Sequence, residues 1–552
     1  MYLYNARYIK MHADDVVNCH VLVIGSGGAG ARAALEASRY GETVLVSRTL
    51  TGKGGCTTMA EGGYNAVLRE LDSCPMHVED TLRGGAFLND PLLVDVLVQE
   101  APDRMADLIA WGAVFDVTDD REIAQRPFGG QRFPRTCYAG DRTGHEMIAT
   151  LVERLRGSGV RQLQDTAVIE LLKDGDRVAG AAMLDRNGDL LICRADAVVL
   201  ATGGGTRVYD ISTNCAAGTG DGFALGYRAG AELIDMEMVQ FHPTGAVYPY
   251  DARGRLITEA VRGEGGVLLN RDGERFMARY DPERMELSTR DVVSRSIATE
   301  ILEGRGTPHG GVYLDVSHLP ARTIEERLPV MLEQFLAFGV DIRKEPMEVA
   351  PTAHHIMGGL RISPEGHTTL PGLYACGEVT GGVHGANRLG GNALADTQVF
   401  GKRAGESAGK EAIRSGTVDR ARVEELRAHL DGYYGGTAAP AVIVARLRQA
   451  MWEGAGIFRT EKSLAETGRV IDELAALTPR AAGAQNTLEC RTVENMLVLS
   501  RLIVQGALLR PESRGAHLRK DIVQDWTPEQ SPYVHTYQSL SRAGIETREV
   551  AA

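Results

Sequence analysis

The sequence predicts an α/β fold, in which a Rossmann-like domain for a dinucleotide carries an inserted α+β capping domain and precedes a C-terminal helical bundle. Three observations predict it. A β-branched strand runs into a Gly-rich turn near the N-terminus, a small-residue pattern returns after residue 351, and residues 418–510 have an almost purely helical period. The 552 residues are too many for one hydrophobic core, so we expect two or three domains.

Residues 19–37 are typical of the first half of a dinucleotide-binding βαβ unit. Residues 21–24 form a β-branched apolar run, as a fully buried parallel strand needs, and G-x-G-x-x-G follows at once. Gly25 allows a sharp turn, Gly27 lets the backbone approach a pyrophosphate, and Gly30 lets the helix pack closely on the strand. The phosphates would lie on the free N–H groups at the helix N-terminus, where the macrodipole is positive.

The second strand of this unit is predicted at residues 43–47, which supplies the context that the glycine motif needs. On this stretch alone, a Gly-rich turn of another α/β unit remains the alternative. The acidic residue that ends this strand in NAD-binding proteins is absent, and Ser47 and Arg48 stand there. A serine hydroxyl can still bind a ribose, so the pattern indicates a nucleotide without the usual NAD signature.

The composition argues against several classes of protein. The net charge is −13 with acids and bases interspersed, which argues against nucleic-acid binding. There is neither a run of about 18 apolar residues nor the apolar core of a signal peptide, so we expect no membrane span and a cytoplasmic location. Eight cysteines without a C-x-x-C predict no disulfide framework and no metal site, zinc or iron–sulfur, in this chain. Any electrons that this protein handles must therefore enter or leave through a partner or a soluble reductant.

The elements of the first domain are predicted from their apolar periods. Residues 1–17 form a polar leader, and residues 51–65 are dense in Gly and Thr. Helices are predicted at 91–112 and at 144–157, the second with Thr143 as its N-cap. Strands are predicted at 166–172, 177–184, 189–193 and 197–201, and the last runs into a Gly turn.

The pattern changes around Ile234, which predicts an inserted domain. Residues 240–350 are richer in charge, with strands at 266–270 and 311–315 and helices at 289–303 and 323–338. The small-residue pattern then returns with a strand at 373–376, residues 418–510 predict a three- or four-helix bundle, and residues 534–550 predict a terminal hairpin. The predicted domains are residues 1–240 and 351–415 for the dinucleotide, 241–350 for the cap, 416–515 for the helices and 516–552 for the tail.

Four clusters of residues carry possible chemistry. They are Q-F-H-P-T-G at 240–245, T-E-A-V-R-G-E-G-G at 258–266, S-T-R-D at 288–291, and a fourth made of P-T-A-H-H-I-M-G-G at 351–359, G-E at 377–378 and H-G-A-N-R-L-G-G-N-A-L at 384–394. Taken singly, a His before Pro is usually structural, and adjacent Arg and Asp are usually a surface pair. Together they place histidines and arginines in turn-rich segments around one cofactor domain, and arginine suits bidentate binding of carboxylates.

The order and spelling of these clusters resemble the flavoprotein subunit of the succinate dehydrogenase/fumarate reductase family. The resemblance extends from the loop at Gly25 to the sequence E-S-R-G-A-H at 512–517, which is nearly the whole chain. It implies that FAD lies on the first domain, that the inserted domain closes over it, and that a dicarboxylate lies between them. The implied activity is interconversion of fumarate and succinate by hydride transfer with the flavin and proton transfer through an arginine.

The resemblance also implies roles for single residues. Arg290 passes the proton, and Glu259 and Arg262 connect it to solvent; an arginine can act as an acid only if a linked carboxylate reprotonates it. The residues implied to hold the substrate are His242, Thr258, His354, Arg388 and Phe128. The residues implied to hold FAD are Gly25, Ser26, Gly27, Gly28, Ala29, Gly30, Ser47, Arg48, Cys56, Thr57, Gly62, Gly63, Asp221, Glu378, Asn392, Ala393 and Leu394.

One departure from the family concerns how FAD is held. Many members attach it to a histidine, but Cys56 occupies that position in G-C-T-T-M-A-E-G-G at 55–63. Attachment to a histidine there is excluded, so we predict non-covalent FAD. In this family the covalent bond accompanies succinate oxidation, so its absence favours fumarate reduction. The stretch is most similar to the branch of thiol-driven and archaeal-type fumarate reductases.

Several alternatives stay open. The reaction could run as succinate dehydrogenase in vivo, or the chain could be an L-aspartate oxidase, although its loop at 125–131 resembles the succinate/fumarate branch. A binding subunit with a degenerate site is disfavoured because the set of histidines, arginines and Glu259 is intact. The resemblance further implies a partner, an iron–sulfur electron-transfer subunit, and implies that any association with a membrane is made through partner subunits.

Overall fold

The computed structural model describes residues 16–414, 418–524 and 526–547. Residues 1–15 of the predicted leader lie outside the described residues. The prediction was wrong for its last two residues, because Val16 and Val17 already belong to the first strand and pair with the central sheet.

The α-helices are, in chain order, α1 (Gly28–Ala37), α2 (Cys74–Gly84), α3 (Pro91–Ala110), α4 (Thr143–Arg156), α5 (Asp221–Ala229), α6 (Glu259–Gly263), α7 (Met277–Tyr280), α8 (Arg290–Glu300), α9 (Ala321–Arg327), α10 (Pro329–Ala337), α11 (Asn392–Glu411), α12 (Arg420–Gly432), α13 (Pro440–Gly454), α14 (Glu461–Ala475) and α15 (Thr487–Leu509).

The strands are β1 (Val16–Ile24), β2 (Thr43–Val46), β3 (Tyr64–Asn65), β4 (Gln125–Arg126), β5 (Thr136–Cys137), β6 (Arg161–Leu163), β7 (Thr166–Asp174), β8 (Arg177–Asp185), β9 (Leu190–Leu200), β10 (Leu233–Ile234), β11 (Val239–Tyr248), β12 (Val267–Leu269), β13 (Val312–Asp315), β14 (Met347–Ile356), β15 (Gly359–Leu360), β16 (Leu373–Ala375), β17 (Phe458–Arg459), β18 (Leu518–Arg519), β19 (Tyr533–Gln538) and β20 (Ala543–Thr547).

The predicted βαβ unit forms the centre of the main sheet. The strand order is β6-β2-β1-β9-β8-β7, and β16 also pairs with β9. β1 is parallel to β2 and to β9, as the unit requires. Helix α1 is buried along its whole length against α11, and Gly401 and Gly405 allow this close approach. A Cβ atom at Gly405 would lie 2.2 Å from the backbone oxygen of Ala33.

Strands predicted separately at 189–193 and 197–201 form the single strand β9. The intervening Arg194 and Asp196 alternate with the buried residues Ala195 and Ala197. This is the period of two of a strand with one polar edge. The early part of β1 pairs with this stretch and extends the ladder across it.

Helix α4 confirms the helix predicted at 144–157 but not its cap. Arg142 is the N-cap, and Thr143 is the first helical residue. The Thr143 hydroxyl accepts a hydrogen bond from the Ala139 N–H at 3.2 Å instead, so it closes the preceding turn.

The inserted segment forms a second sheet, in the order β11-β14-β13-β12, with its own hydrophobic cluster. The predicted helix at 323–338 is divided into α9 and α10, because Pro329 lacks an N–H and restrains the residue before it. Leu328 accordingly has φ −132° and ψ 41°. The helix predicted at 289–303 is α8, which continues as a π-helical turn at Ile301–Arg305.

The helical segment is a three-helix packing of α13, α14 and α15. Helix α12 packs elsewhere, with Val423 and Leu426 in a cluster against β7, β8 and β9. Residues 484–509, which include α15, are long and apolar enough by length and composition to cross a membrane, with a mean hydropathy of 1.3. About two thirds of that apolar stretch (67%) is buried within the protein, as in the core helix of a globular domain.

The predicted C-terminal hairpin is confirmed as β19 and β20, and its residues 548–550 lie outside the described residues. β19 also pairs with β10, which ties the tail to the first domain. Beneath this junction, the guanidinium of Arg510 is fully buried and forms ion pairs with Asp235, Glu237 and Glu512.

Replacing Arg510 by alanine should therefore destabilise the protein strongly. The three carboxylates would stay buried without their common cation, which typically costs about 3–5 kcal/mol. We expect the thermal midpoint, followed by circular dichroism, to fall by several degrees. The matched control is Arg322→Ala, since the pair that Arg322 forms with Glu326 is exposed. Equal midpoints for the two variants would contradict a structural role of the cluster.

Candidate active site

A cavity of about 700 Å³ lies between the first sheet and the inserted segment, and both contribute to its walls. All the predicted site residues line it except Gly30, Arg262 and Asn392. Gly30 packs α1 on the glycine turn, because a Cβ there would lie 1.8 Å from the Gly25 oxygen. Asn392 lies beneath the wall, where its side chain hydrogen-bonds Asn65, His77 and Thr81.

The glycine turn has the geometry that a dinucleotide needs. Gly25 has φ +108°, and a Cβ at this position would lie 2.2 Å from the Ala201 oxygen. Helix α1 begins at Gly28, whose N–H donates to the Thr57 hydroxyl at 3.1 Å. The turn thus directs the N-terminus of α1 into the cavity wall.

Polar groups beside this turn fit a nucleotide. The hydroxyls of Ser26 and Ser47 lie 2.7 Å apart, and Arg48 pairs with Asp221 at 3.0 Å. The cavity has room beside them. A Cβ at Gly203 would meet no atom within 4 Å, and one at Gly55 would meet only the backbone of Gly27 at 4.0 Å. These residues fit FAD.

The two arginines and the glutamate of the predicted proton path are in contact. Nε and Nη2 of Arg290 donate to Glu259 Oε2 at 2.8 and 2.7 Å, and Arg262 Nη2 lies 3.8 Å from the same oxygen. The other oxygen of Glu259 accepts from the Gly129 N–H at 2.7 Å. Thr258 caps α6 and so fixes Glu259 as its first residue. Burial alone would raise the pKa of Glu259, but Arg290 and Arg262 lower it, so this carboxylate is ionised.

Gln240 contacts both Arg290 and Arg388, although no role was predicted for it. Its Oε1 accepts from Arg290 Nη1 at 3.1 Å, and its Nε2 donates to the Arg388 backbone oxygen at 2.8 Å. The residue belongs to the Q-F-H-P-T-G motif, so the sequence contained the signal.

His242 and His354 face each other, with ring centroids 5.0 Å apart. Burial, then the charges of Arg290 and Arg388 respectively, hold the pKa of each imidazole well below its usual value, so both are neutral. Nδ1 of His242 accepts from the Thr244 N–H at 3.2 Å, which puts its proton on Nε2. Nδ1 of His354 hydrogen-bonds the hydroxyl of Thr213 at 2.7 Å, a residue that no sequence signal indicated.

Arg388 is the unusual group of the site. Its guanidinium is buried in the cavity wall, and within the described part of the chain it forms no ion pair or hydrogen bond. Burial, together with repulsion from Arg290, lowers its pKa to about 9. A buried cation without a partner is costly, so the site is built to receive an anion.

Two buried carboxyl groups line the same cavity as Arg388. Burial raises the pKa of Glu378 to about 7 and that of Asp396 to about 7 as well. Glu378 was predicted, but Asp396 was missed, although it follows the H-G-A-N-R-L-G-G-N-A-L motif by two residues. His355 lies 3.4 Å from Glu378, and burial, then Arg388, keeps its pKa well below the usual value, so it too is neutral.

Replacing Glu378 by glutamine should change how stability depends on pH. The folded carboxyl has a pKa of about 7 against 4.5 in the unfolded chain, so the wild type loses stability as pH rises from 4.5 to 7. The amide cannot ionise. Without flavin, the variant and the wild type should have the same free energy of unfolding near pH 4.5. Above pH 7 the free energy of unfolding of the variant should be higher, by about 3 kcal/mol at most. Thermal midpoints near pH 4.5 and above pH 7 measure this, with Glu424→Gln at an exposed position of α12 as the control. A difference that is the same at both ends would contradict it.

Comparison with known proteins gives consistent matches. The FAD binding domain family matches residues 20–394, and the fumarate reductase flavoprotein C-terminal family matches residues 444–547. One subunit of the fumarate reductase (CoM/CoB) of Methanothermobacter marburgensis is 53% identical over 92% of this chain and 95% of its own length. L-aspartate oxidase of Streptomyces coelicolor is 39% identical over 93% of this chain and 91% of its own length. A solved structure of E. coli quinol fumarate reductase superposes with a TM-score of 0.90 at 34% identity, covering 97% of both chains.

Proposed function

The chain belongs to the flavoprotein family of fumarate reductases and succinate dehydrogenases, and from this premise we propose that it is the FAD-dependent catalytic subunit that interconverts fumarate and succinate. The observation that supports this substrate is the guanidinium of Arg388, which is buried in the cavity wall without an ion pair or hydrogen bond among the described residues. A dicarboxylate bound in the cavity would compensate the positive charge of Arg388. Fumarate reduction is the direction that we propose for the cell.

The substrate would be held by groups from both sides of the cavity. Arg388 would bind one carboxylate by a bidentate, charge-assisted contact. His242 is neutral with its proton on Nε2, so it is a donor to a carboxylate rather than a second positive charge. His354 and Thr258 line the same cavity and would complete the set. Negative charge that develops on the substrate carboxylate would be stabilised most strongly in this buried site.

The proton would reach the substrate through Arg290 and Glu259. Bound FAD supplies the hydride that is exchanged with one substrate carbon. Arg290 would give the proton to the other carbon, and Glu259, which accepts two of its hydrogen bonds, would return one to it. Arg262 lies beyond Glu259 and donates to the backbone oxygen of Glu286. The carboxylate of Glu286 pairs in turn with Arg275, which is half exposed.

FAD is proposed to be bound without a covalent link, since a cysteine stands where the family attaches it to a histidine. Acid precipitation of the purified protein should release the flavin into the supernatant. Flavin that stays with the precipitate would overturn this part of the proposal.

The test of the activity is anaerobic. The flavin is reduced with dithionite, excess reductant is removed, fumarate is added, and reoxidation is followed in the visible spectrum. Rapid reoxidation with formation of succinate supports the proposal. Failure to reoxidise, in protein that retains its flavin, would contradict it.

L-aspartate tests the alternative that the sequence left open. Its ammonium group would enter a cavity that already holds Arg388 and Arg290. Glu259, a carboxylate of the cavity wall, is already in contact with two arginines and the Gly129 N–H. We therefore expect that L-aspartate does not reduce the oxidised flavin, whereas succinate does. Reduction by L-aspartate at a comparable rate would favour the oxidase.

The proposed partner is an iron–sulfur subunit that brings single electrons to FAD. The proposal rests on the family resemblance and on the absence of C-x-x-C spacing from the sequence. Co-purification of the untagged chain from its native host, followed by iron and acid-labile sulfide analysis, tests it. A chain that purifies alone and is reduced directly by small thiols would replace the partner with a soluble reductant.

A further inference from the structure

A network of buried amide, imidazole and hydroxyl groups lies beneath the cavity wall, at the turn that leads into helix α11. Its members are Asn65, His77, Thr81, Gln131, Thr136 and Asn392. As far as the structure describes the chain, the walls of the cavity include none of these six residues. Neither the proposed proton path nor the proposed substrate site uses them.

The turn that this network surrounds contains two adjacent glycines, so its backbone is conformationally permissive. Gly391 follows Gly390, has φ +85° and is the N-cap of α11. Among the described residues no side chain caps this helix, so the N–H groups of its first turn remain available to a ligand. Gly391, Ala393 and Leu394 line the cavity. The positive end of the helix therefore forms part of the wall where FAD is proposed to bind.

Asn65 fixes this turn with both its backbone and its side chain. Its N–H donates to the Gly391 oxygen at 3.2 Å, and its Nδ2 donates to the Gly390 oxygen and to Asn392 Oδ1, both at 2.7 Å. Its Oδ1 accepts from the Thr136 hydroxyl at 2.7 Å. A Cβ at Gly391 would lie 2.0 Å from this Oδ1, so the Asn65 amide packs directly on the turn.

Asn392 is also held by helix α2. Its Oδ1 accepts from His77 Nε2 at 3.0 Å, and its Nδ2 donates to the Thr81 hydroxyl at 3.0 Å. Because a carboxamide oxygen only accepts, the proton of the imidazole is on Nε2. Burial first, and then the charge of Arg135, lower the pKa of His77 to about 4, so the imidazole is neutral. The members of the network are thus uncharged, and they act on the cavity through the position of the helix.

We propose that Asn65 and His77 are positioning residues, which through Asn392 and the glycine turn hold the N-terminus of α11 where its N–H groups stabilise the negative charge of a reduced flavin. The inference rests on the proposed binding of FAD in this cavity. A flavin ring that gains negative charge on reduction is stabilised by the positive end of a helix, whereas the neutral oxidised ring is stabilised less. The network therefore raises the reduction potential of the bound flavin, and loosening the turn should lower it.

The test measures the reduction potential of the flavin in flavin-loaded protein, by anaerobic equilibration with a reference dye. His77→Leu removes the Nε2–H donor without changing the net charge at neutral pH. We expect the ratio of reduced to oxidised flavin at a fixed potential to fall by about tenfold, which is about 30 mV for a two-electron couple. His77→Gln can still donate to Asn392 Oδ1 and should restore most of the wild-type ratio.

Thr150→Val is the matched control. It removes a buried threonine hydroxyl of α4, which donates to the Glu146 oxygen and lies outside both the network and the cavity wall. The flavin ratio should stay at the wild-type value. Should His77→Leu lose its flavin, Thr81→Val supplies the test. This change is isosteric and removes the acceptor of Asn392 Nδ2, so it should give a smaller fall in the same direction.

Two outcomes would overturn the inference. The first is an unchanged flavin ratio in His77→Leu, or in Thr81→Val where it takes its place. The second is an equal fall in His77→Gln and His77→Leu, because the loss would then come from altered packing and not from the donated hydrogen bond. Neither outcome depends on fumarate. A flavin that shows these shifts but is not reoxidised by fumarate would count against the proposed activity and not against the positioning role.

Discussion

Replacing Arg290 by alanine should lower kcat for fumarate reduction by about 10⁴-fold, the upper range for removal of a general acid. The guanidinium lies in the cavity wall and is hydrogen-bonded to Glu259, so it connects the cavity to the proposed proton path. Loss of Arg290 leaves Arg388 and the histidines in place. The affinity for succinate, measured by perturbation of the flavin spectrum, should therefore change far less than kcat, and FAD should stay bound.

Two further variants supply a control for this experiment and a separate test of Glu259. Arg271→Ala removes an exposed arginine of the same inserted segment and should leave kcat unchanged. Glu259→Gln keeps the shape of the carboxylate but cannot accept a proton, so it should lower kcat strongly while Arg290 remains. A rate for Arg290→Ala within tenfold of the wild type would show that the proton comes from another group. A normal rate for Glu259→Gln would show that the arginine is reprotonated by another route.

The family motifs identify the residues of the site, but the sequence does not show how the fold brings them together. His242 and His354 are 112 positions apart (354 − 242). They face each other because β11 and β14 are antiparallel, in a register that pairs His242 with Thr352. Irregularities interrupt that register on both sides of His242. Bulges of this kind are set by tertiary packing and leave no period in the sequence.

Other differences have equally local causes. A leucine-rich helical period continued through Pro329, yet the missing N–H divides the helix there. Thr213 was not identifiable because a single hydroxyl in a loop carries no pattern. Its contact with His354 exists only because the 212–213 loop pairs with β14. Periodicity could predict the elements and the motifs could predict the chemistry, but contacts between loops depended on the assembled structure.

Replacing Arg388 by methionine should weaken binding and strengthen the fold at the same time. The dissociation constant for succinate, measured from the flavin spectrum, should rise by about 10²–10³-fold, since a buried charge-assisted contact is lost. Without substrate, however, the wild type carries a buried cation that has no partner among the described residues. Its removal should raise the free energy of unfolding of the unliganded protein by about 1–3 kcal/mol, which is measured as a higher thermal midpoint.

The sign of the stability change depends on pH, which makes the prediction specific. Arg388 also attracts Glu378 and Asp396, whose pKa values are about 7. At pH 6 both carboxyls are mostly neutral, so removal of Arg388 costs little electrostatic attraction and Arg388→Met should be clearly more stable than the wild type. At pH 8 both carboxyls are ionised, and this increase in stability should shrink or reverse. Arg388→Lys keeps the charge, so it should bind succinate with intermediate affinity and show no gain at pH 6. A dissociation constant that is unchanged in Arg388→Met would contradict the assignment of this cation to the substrate.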